Sequence, residues 1–288
     1  MEYAALRKDK QYFDLLAVQT NKYYLSQAGY YYWKINSTNY TGEQISALVD
    51  DLRIFKAYYL ASKNNMGNYS EQLKAVSESV HKFDSDGKYL YDFYDGRSRK
   101  KAEYVSLFYL DMNSIDMLQE YDKQKWQEIW ETARELLQKM EKRENGFFPV
   151  SFNYINKEYI WNETGVNMVE NLYTALNLYN ADGDVSSLLK FMRRKIRSDQ
   201  KIANWYNFDG SVKDENESAA VYALAARLFW LNEDKKHALW CYNKVLAFQI
   251  EDNSDFGGGF GDQDSSMVYA FDQLEALLML RMVQGIGE

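Results

Sequence analysis

The sequence predicts an all-α protein whose helical hairpins close into an α/α toroid. Three observations lead to this prediction: apolar residues recur at helical spacing along most of the 288 residues, long and short connections alternate, and Pro149 is the single proline. An apolar stripe marks the buried face of a helix, and scarce proline favours uninterrupted helices. We therefore expect about ten to twelve helices and little or no sheet.

One apolar stripe defines each predicted helix. A first helix spans roughly Glu2 to Ser26, and the next stripe runs from Ile45 to Tyr59 at i, i+3, i+4, i+7 spacing. The others follow in order: Tyr69 to Val80, Val105 to Leu118, Trp126 to Met140, Val166 to Leu178, Val185 to Ile196, Val221 to Leu231, Ala238 to Phe248 and Val268 to Met282.

The connections between these helices alternate in length. Short ones lie near 64–68, 120–123, 180–184 and 232–234, and the long ones lie between them. A unit of long loop, helix, short turn and helix recurs every ~50–60 residues, a period that indicates stacked helical hairpins. Irregular long loops on one rim favour a closed toroid over an open solenoid. No linker divides the chain, so we expect one domain over residues 1–288.

Aromatic side chains and carboxylates are concentrated in five of the long connections. Aromatic faces stack on pyranose rings, and a glycosidic bond is broken by two carboxyl groups. Loops are also where binding and chemistry usually occur, so the pattern indicates a sugar polymer as ligand or substrate. The segments are Tyr30 to Tyr40, Tyr89 to Tyr94, Phe147 to Trp161, Trp205 to Phe208 and Phe256 to Phe260; the acids that follow them are Glu43, Glu103, Glu163, Asp214 with Glu217, and Asp262 with Asp264.

Composition excludes several classes of protein. The chain is 46% hydrophobic and 16% aromatic, with 25 Tyr and 7 Trp, which is more aromatic surface than a core alone uses. A net charge of −8 argues against a nucleic-acid or anionic-membrane partner. Cys241 is the single cysteine, so no intrachain disulfide forms. His81 and His237 are the only histidines and have no metal-ligand spacing around them, so we expect no metal and no cofactor.

The sequence carries no recognisable signal peptide or membrane-spanning segment. An extracellular or cell-surface location, or an association with a membrane, would therefore depend on a leader or anchor outside this chain. We expect the protein to be a monomer.

The segment Thr41-Gly42-Glu43-Gln44 has both a structural and a functional interpretation. In the structural one, Thr41 caps the following helix and Gln44 reaches back to it as a capping box. An acid in the first turn is also favoured by the helix macrodipole, which applies equally to the other loop acids. The aromatic run before Glu43, from Tyr30 to Trp33 and at Tyr40, favours the functional interpretation.

Three stretches of the chain resemble glycoside hydrolase family 8. Gly29 to Phe55 is similar to the family's opening, where a Ser-Glu-Gly-Gln-type motif precedes a helix. Trp205 to Arg227 looks like its Trp-loop-Tyr-Asp-Ala-x-Arg region, and Tyr269 to Leu278 is similar to its closing Tyr-Tyr-Asp-Gln helix. The resemblance spans most of the chain and implies an (α/α)6-type toroid and an inverting, endo-acting hydrolase of a β-linked polysaccharide. Bacterial members often accompany cellulose or exopolysaccharide synthesis systems.

The resemblance also implies catalytic roles. It assigns the general acid to Glu43, although the Glu is displaced by one position within the motif. The general base has no clean match, so Asp214, Glu217 and Asp209 stay open, with Asp214 first. Glu103 is the nearest substitute for the family's central Asp, which contacts the sugar at the point of cleavage. Independently of the resemblance, an inverting glycosidase uses one protonated and one ionised carboxyl group, ~6.5–9.5 Å apart.

The loop aromatics are the predicted binding surface. We expect Trp33, Tyr40, Tyr154, Trp161, Trp205 and Tyr206 to contact a polysaccharide. The alternative for each is packing of the loop against the rim.

Other functions are also compatible with the sequence. A glycan-binding protein on the same fold would keep the aromatics and lack one carboxylate. A second toroid enzyme, such as a polysaccharide lyase or an α-mannan hydrolase, is another alternative, although a lyase would need a base and a charge neutraliser that scarce histidine and the acidic pI of 5.1 disfavour. A helical-repeat scaffold that binds protein is the alternative without a glycan.

Overall fold

The structure consists of helices joined by loops that contain short strands. It is a computed structural model that describes residues 1–251, 255–261 and 268–284, except for the side chain of Gln284. The chain forms two compact units. Unit 1 comprises Met1–Met140, Ser151–Ile160 and Asn180–Asp182. Unit 2 comprises Glu141–Val150, Trp161–Tyr179 and Gly183–Glu288.

Unit 1 is built around α3, which packs against three other helices of the unit, α1, α4 and α5, while α5 also pairs with α6. Its helices are α1 (Glu2–Leu6), α2 (Lys10–Tyr24), α3 (Leu48–Lys63), α4 (Ser70–Phe83), α5 (Met112–Tyr121) and α6 (Lys123–Lys139). Its strands are β1 (Tyr94–Asp95), β2 (Lys100–Lys101), β3 (Tyr104–Ser106), β4 (Ser151–Asn153) and β5 (Glu158–Ile160). β1 pairs with β2, and β3, β4 and β5 form an antiparallel sheet in that order.

Unit 2 is built around α9, which packs against α10 and α11. Its helices are α7 (Met168–Asn180), α8 (Ser186–Asp199), α9 (Ala219–Leu231), α10 (Lys235–Ala247) and α11 (Ala270–Gln284). β6 (Val166–Asn167), β7 (Trp205–Tyr206) and β8 (Val212–Asp214) form one antiparallel sheet in that order.

The apolar stripes form the core where the sequence predicts helices. In α6, Trp126, Ile129, Ala133 and Leu137 are all buried, with 0–3% of their surface exposed. The spacing of these residues places them on one face of the helix. In α9 the apolar pattern continues around the helix, and ten of its residues are buried, as expected for a helix that packs on more than one side.

The predicted first helix is wrong in one respect, because it is two helices. α1 ends at Leu6, and Lys8 adopts a left-handed conformation with φ of 59°. The Asp9 carboxylate then accepts a hydrogen bond from the Tyr12 amide at 3.0 Å and starts α2. An N-cap of this kind satisfies one of the free amides at a helix start, so it stabilises a new helix at this point.

The helix after Glu43 begins later than predicted. α3 starts at Leu48, and Ala47 before it is extended. The predicted capping box is therefore wrong, as is the placement of Glu43 at a helix start. Its backbone instead forms sheet-like pairs: Glu43 N–H donates to the Lys34 carbonyl at 2.9 Å, and Ile45 bridges to Asp95.

The other loop acids also lie outside the helices. Glu103 precedes β3, Glu163 lies five residues before α7, and Asp214 is in β8. Glu217 directly precedes Ser218, which caps α9. Asp262 and Asp264 lie outside the described residues.

Candidate active site

In unit 1, Glu43 and Trp33 form a hydrogen-bonded pair. The indole N–H of Trp33 donates to Glu43 Oε2 at 3.1 Å. Lys34 Nζ lies 3.7 Å from Glu43 Oε1. Both side chains are accessible, since Trp33 is 46% exposed and the Glu43 side chain 45%. Lys34 Nζ also lies 5.4 Å from the centre of the Trp33 ring. The pair therefore combines a carboxyl group with an indole that is about half exposed.

The backbone around this pair is closely packed. Trp33 N–H donates to the Ile45 carbonyl at 3.0 Å, and Gly96 N–H donates to the Gln44 carbonyl at 2.7 Å. A Cβ on Gly42 would lie 2.0 Å from the Tyr32 ring, so only glycine allows this approach. The sequence thus positions Glu43 through long-range backbone pairing.

The remaining predicted residues of unit 1 differ in accessibility. Tyr40 is 56% exposed and stacks on Tyr23, with ring centroids 4.8 Å apart. The Glu103 side chain is exposed, and its carbonyl accepts from the Tyr154 amide at 2.9 Å. Tyr154 is half-buried against Tyr89, and its hydroxyl donates to the Leu90 carbonyl at 2.7 Å. Tyr40 is therefore accessible although it stacks on Tyr23, whereas Tyr154 packs against neighbouring residues.

In unit 2, Asp214 lies beside Trp205. Asn167, Trp205 and Asp214 are paired across β6, β7 and β8, with an irregularity at Trp205. Directly opposed residues have side chains on the same face of a sheet, so this row places a carboxylate next to an indole. The Asp214 carboxylate accepts from the Asn216 amide at 3.0 Å. Lys213 Nζ lies 5.5 Å from the centre of the Trp205 ring.

Asp209 is held within its own turn. Its Oδ1 accepts hydrogen bonds from the Ser211 hydroxyl at 2.6 Å and the Ser211 amide at 2.8 Å. These hydrogen bonds lower the pKa of Asp209 below its ordinary value. Asp209 lines an open groove of 890 Å³ with Arg143, Arg194 and Lys195, so its surroundings favour the ionised form.

Glu217 contacts two other side chains. Its Oε2 accepts from the Tyr222 hydroxyl, and Lys244 Nζ lies 3.4 Å from the same oxygen. These contacts tie Glu217 to α9 and α10. Of the three predicted bases, Asp214 is the one that strand register pairs directly with Trp205.

The two other aromatic predictions of unit 2 have different outcomes. Trp161 is half-buried; the Arg143 guanidinium lies 4.5 Å from its ring centre and 4.0 Å from that of Phe208. Tyr206 is 0% exposed, and its hydroxyl accepts from the Ala203 amide at 2.8 Å. The prediction that Tyr206 contacts a polysaccharide is therefore wrong, because alternation along β7 turns its ring into the core.

Three half-buried acids that were not predicted as site residues lie in first turns of helices: Asp50 in α3, Glu170 in α7 and Asp272 in α11. Burial raises the pKa of each. A helix N-terminus alone favours the ionised carboxylate, so burial has the larger effect here. A raised pKa is typical of acids that transfer protons. Their position in a first turn was readable from the sequence, whereas their burial was not.

The described residues contain no group of three or more His, Cys, Asp or Glu side chains that could hold a metal ion. None of the helices in the described ranges is long and apolar enough to cross a membrane.

Comparison with known proteins identifies the fold. No family model matches the chain. Three solved structures each cover 98% of it. A novel alpha-amylase from Clostridium perfringens has a TM-score of 0.87 at 25% identity, over 82% of that chain. PssZ from Listeria monocytogenes has a TM-score of 0.79 at 22% identity, over 82% of that chain. A reducing-end-xylose releasing exo-oligoxylanase has a TM-score of 0.70 at 18% identity, over 79% of that chain.

The chain has a fold of the glycoside hydrolase family 8 type. This confirms the predicted (α/α)6-type toroid. Because these neighbours include glycoside hydrolases, the similarity supports a glycosidase. In sequence, the chain is also similar to the Bacillus subtilis (strain 168) protein named "Putative lipoprotein YdaJ", with 24% identity over 253 residues, 86% of this chain and 67% of that protein.

Proposed function

We propose that the protein is an inverting, endo-acting glycoside hydrolase that cleaves a β-linked bacterial extracellular polysaccharide. The observation that supports this most is the Trp33–Glu43 pair, a carboxylate hydrogen-bonded at 3.1 Å to an accessible indole. An aromatic face binds a pyranose ring and places its glycosidic oxygen near the carboxyl group. The similarity of the chain to an oligoxylanase fits a β-linked substrate.

In this proposal Glu43 is the general acid and protonates the leaving oxygen. Asp214 is the general base and removes a proton from the attacking water. Water then adds to the anomeric carbon from the face opposite to the leaving group, and the configuration is inverted. Trp33, Tyr40, Trp161 and Trp205 bind the polymer, and Glu103 contacts the sugar. We propose no metal or cofactor for the reaction.

The similarity to a lipoprotein-named protein of Bacillus subtilis supports a location at the cell surface. An extracellular polysaccharide would be accessible there. We therefore place the proposed activity outside the cell, on an exopolysaccharide such as that of a biofilm, with the protein acting as a monomer.

Hydrolysis of an α-glucan is a second candidate. The similarity to an alpha-amylase, at a TM-score of 0.87 and 25% identity, favours it. The two candidates differ only in substrate linkage, since acid, base and aromatic platforms are needed in both.

The test is a panel of purified polysaccharides with the wild-type protein. It would include xylan, cellulose, a bacterial exopolysaccharide, amylose and pullulan, with new reducing ends as the readout. Proton NMR of the first product then identifies the anomer. We expect cleavage of a β-glycan with release of an α-anomer. Cleavage of amylose alone would favour the second candidate, and binding without any cleavage would favour a glycan-binding protein.

A further inference from the structure

Two buried aspartates lie behind the loop that carries Glu43. Asp51 on α3 and Asp84 after α4 are each 0% exposed, and their carboxyl groups are within hydrogen-bonding reach of each other. Leu48, Leu52 and Phe55 are also buried on α3, and their spacing places them on the same face as Asp51. An aspartate at such a position is unusual, because burying an unpaired charge is costly.

The oxygens of this pair lack donors. Both carboxylate oxygens of Asp51 and Oδ2 of Asp84 accept no hydrogen bond from the residues that the structure describes. Two ionised carboxylates would be acceptors only and would repel each other. One proton between them removes the repulsion and gives a donor to the other carboxyl group, as in carboxylate pairs that share a proton.

The fourth oxygen connects the pair to the Glu43 loop. Asp84 Oδ1 accepts from the Ser46 hydroxyl at 2.5 Å. The Ser46 hydroxyl accepts from the Tyr94 amide at 2.9 Å, and Ser46 N–H donates to the Tyr94 carbonyl at 3.0 Å. Ser46 is three residues from Glu43, and Glu43 is joined to this segment by the hydrogen bond from Ile45 N–H to the Glu43 carbonyl at 2.7 Å.

We infer that Asp51 and Asp84 share one proton and that this pair, acting through Ser46, positions the loop that presents Glu43. The inference rests on the proposed role of Glu43. Asp51 and Asp84 are positioning residues, since neither is accessible to a substrate. Loss of the shared proton leaves two buried negative charges, and the most direct relief is separation of Asp84 from Asp51, which displaces Ser46.

The stability that the shared proton provides falls as the pH rises. Burial, together with the charge of Asp84, raises the pKa of Asp51 well above its ordinary value, and burial raises the pKa of Asp84 to about 6. Stability from the shared proton is therefore complete below the ordinary range of Asp and is lost as the pH rises through these raised values.

Other titratable groups lie near the pair and shift the pH range in which its proton is lost. Asp50 on α3 raises the pKa of Asp51, while Lys101 on β2 lowers that of Asp84. The Tyr31 hydroxyl also faces Asp51 and has its own pKa raised, mainly by burial. All three are unchanged in a variant of Asp51, so a comparison of variants isolates the pair.

Three substitutions in the full chain separate the parts of the inference. Asp51→Asn supplies a permanent donor to Asp84 and should keep the loop in place. Asp51→Leu removes the partner and leaves Asp84 buried alone. Ser46→Ala keeps the pair and cuts its link to the loop, so it serves if Asp51→Leu does not fold.

The first readout is the protection of the amides of residues 33–48 from hydrogen exchange. Each rate is normalised by the intrinsic exchange rate at that pH, and the amides of α6 serve as an internal control. From pH 5 to pH 8 we expect the wild type to lose protection roughly tenfold, because the shared proton is lost. Asp51→Asn should keep its protection at both pH values, and Ser46→Ala should have low protection at both. Equal protection in all four proteins, or equal losses in Asp51→Asn and Asp51→Leu, would overturn the inference.

Hydrolysis is the second readout. Ser46→Ala and Asp51→Leu should lower kcat by roughly tenfold or more with KM little changed, because misplaced catalytic groups slow the chemical step. Asp51→Asn should keep a kcat close to that of the wild type and remain active at higher pH than the wild type. A variant that loses amide protection in residues 33–48 and still has the wild-type kcat would overturn the positioning role. If the wild type hydrolyses no polysaccharide, the proposed function fails, and the exchange data still decide whether the pair anchors the loop.

Discussion

The indole N–H of Trp33 donates to the Glu43 carboxylate at 3.1 Å, ten residues along the chain and across two paired segments of one loop. This contact fixes the direction of the carboxylate relative to the aromatic face. It makes the role of Trp33 separable into two parts, a ring that binds sugar and an N–H that orients Glu43.

Trp33→Phe keeps an aromatic ring and removes the N–H. A hydrogen bond contributes about 0.5–1.5 kcal/mol, and Trp33 is 46% exposed, so we expect no more than this. The kcat should fall by roughly two- to tenfold, while KM rises only slightly. Steady-state kinetics on the best polysaccharide measures both. Trp33→Ala should raise KM strongly as well, and equal effects of the two variants would rule out a role for the N–H.

Asp214 is the proposed base, and its removal should separate catalysis from binding. Asp214→Ala should lower kcat by roughly 10²–10⁴-fold while polymer binding by affinity electrophoresis persists, because Trp205 remains. Asp209→Ala and Glu217→Ala are matched controls from the same segment and should keep activity within several-fold.

Azide provides an independent check on that assignment. In Asp214→Ala it should replace the activated water and restore turnover, with a glycosyl azide of inverted configuration as product. Wild-type rates in Asp214→Ala would remove it from the mechanism and direct attention to Glu170 and Asp272, whose pKa values are raised by burial.

Gly165 precedes β6 and has a φ of 127°; a Cβ there would lie 2.5 Å from the Tyr206 carbonyl oxygen. Gly165→Ala should therefore lower the free energy of unfolding by roughly 2 kcal/mol or more, since a backbone oxygen has to move. Gly87→Ala is the control, because Gly87 also has a positive φ of 95° but has nothing within 4 Å of the added Cβ. Its loss should be about 1 kcal/mol. Urea denaturation distinguishes the two, and equal losses would argue against the close approach.

Cys241 lies on the buried face of α10 and is 0% exposed. Burial raises the pKa of its thiol, so the reactive thiolate is scarce and inaccessible. The native protein should react with a disulfide reagent at pH 8 at least ~100-fold more slowly than the protein in denaturant. Rapid native reaction would contradict the packing of α10.

The helices were predictable because their signal is local. The stripe of Trp126, Ile129 and Leu137 predicts α6 to within three residues of its start and one of its end. The short strands were not, because two or three residues carry no periodicity, and their pairing depends on distant partners such as Ile45 and Asp95. For this reason Glu43 was predicted at a helix start, whereas the helix begins at Leu48.

The candidate site was only partly predictable for a similar reason. Glu43 and Trp33 were predicted from their loop, and the structure brings the two side chains into contact. The pairing of Trp205 with Asp214 depends on strand register. Asp51 falls on the same helical face as Leu48 and Leu52, so its burial follows from spacing. Its partner Asp84 is 33 residues away, and only the fold brings the two together.

The role of Glu43 is the central claim, and one substitution tests it most directly. Glu43→Gln keeps the shape of the side chain and removes the proton that it would donate. Catalysis by a positioned acid contributes ~10²–10⁴-fold, so kcat on the best polysaccharide should fall by at least that order with the thermal unfolding midpoint unchanged. Glu71→Gln, an exposed acid in the first turn of α4, is the matched control and should retain full activity. A Glu43→Gln protein within a few-fold of the wild-type rate would contradict the account.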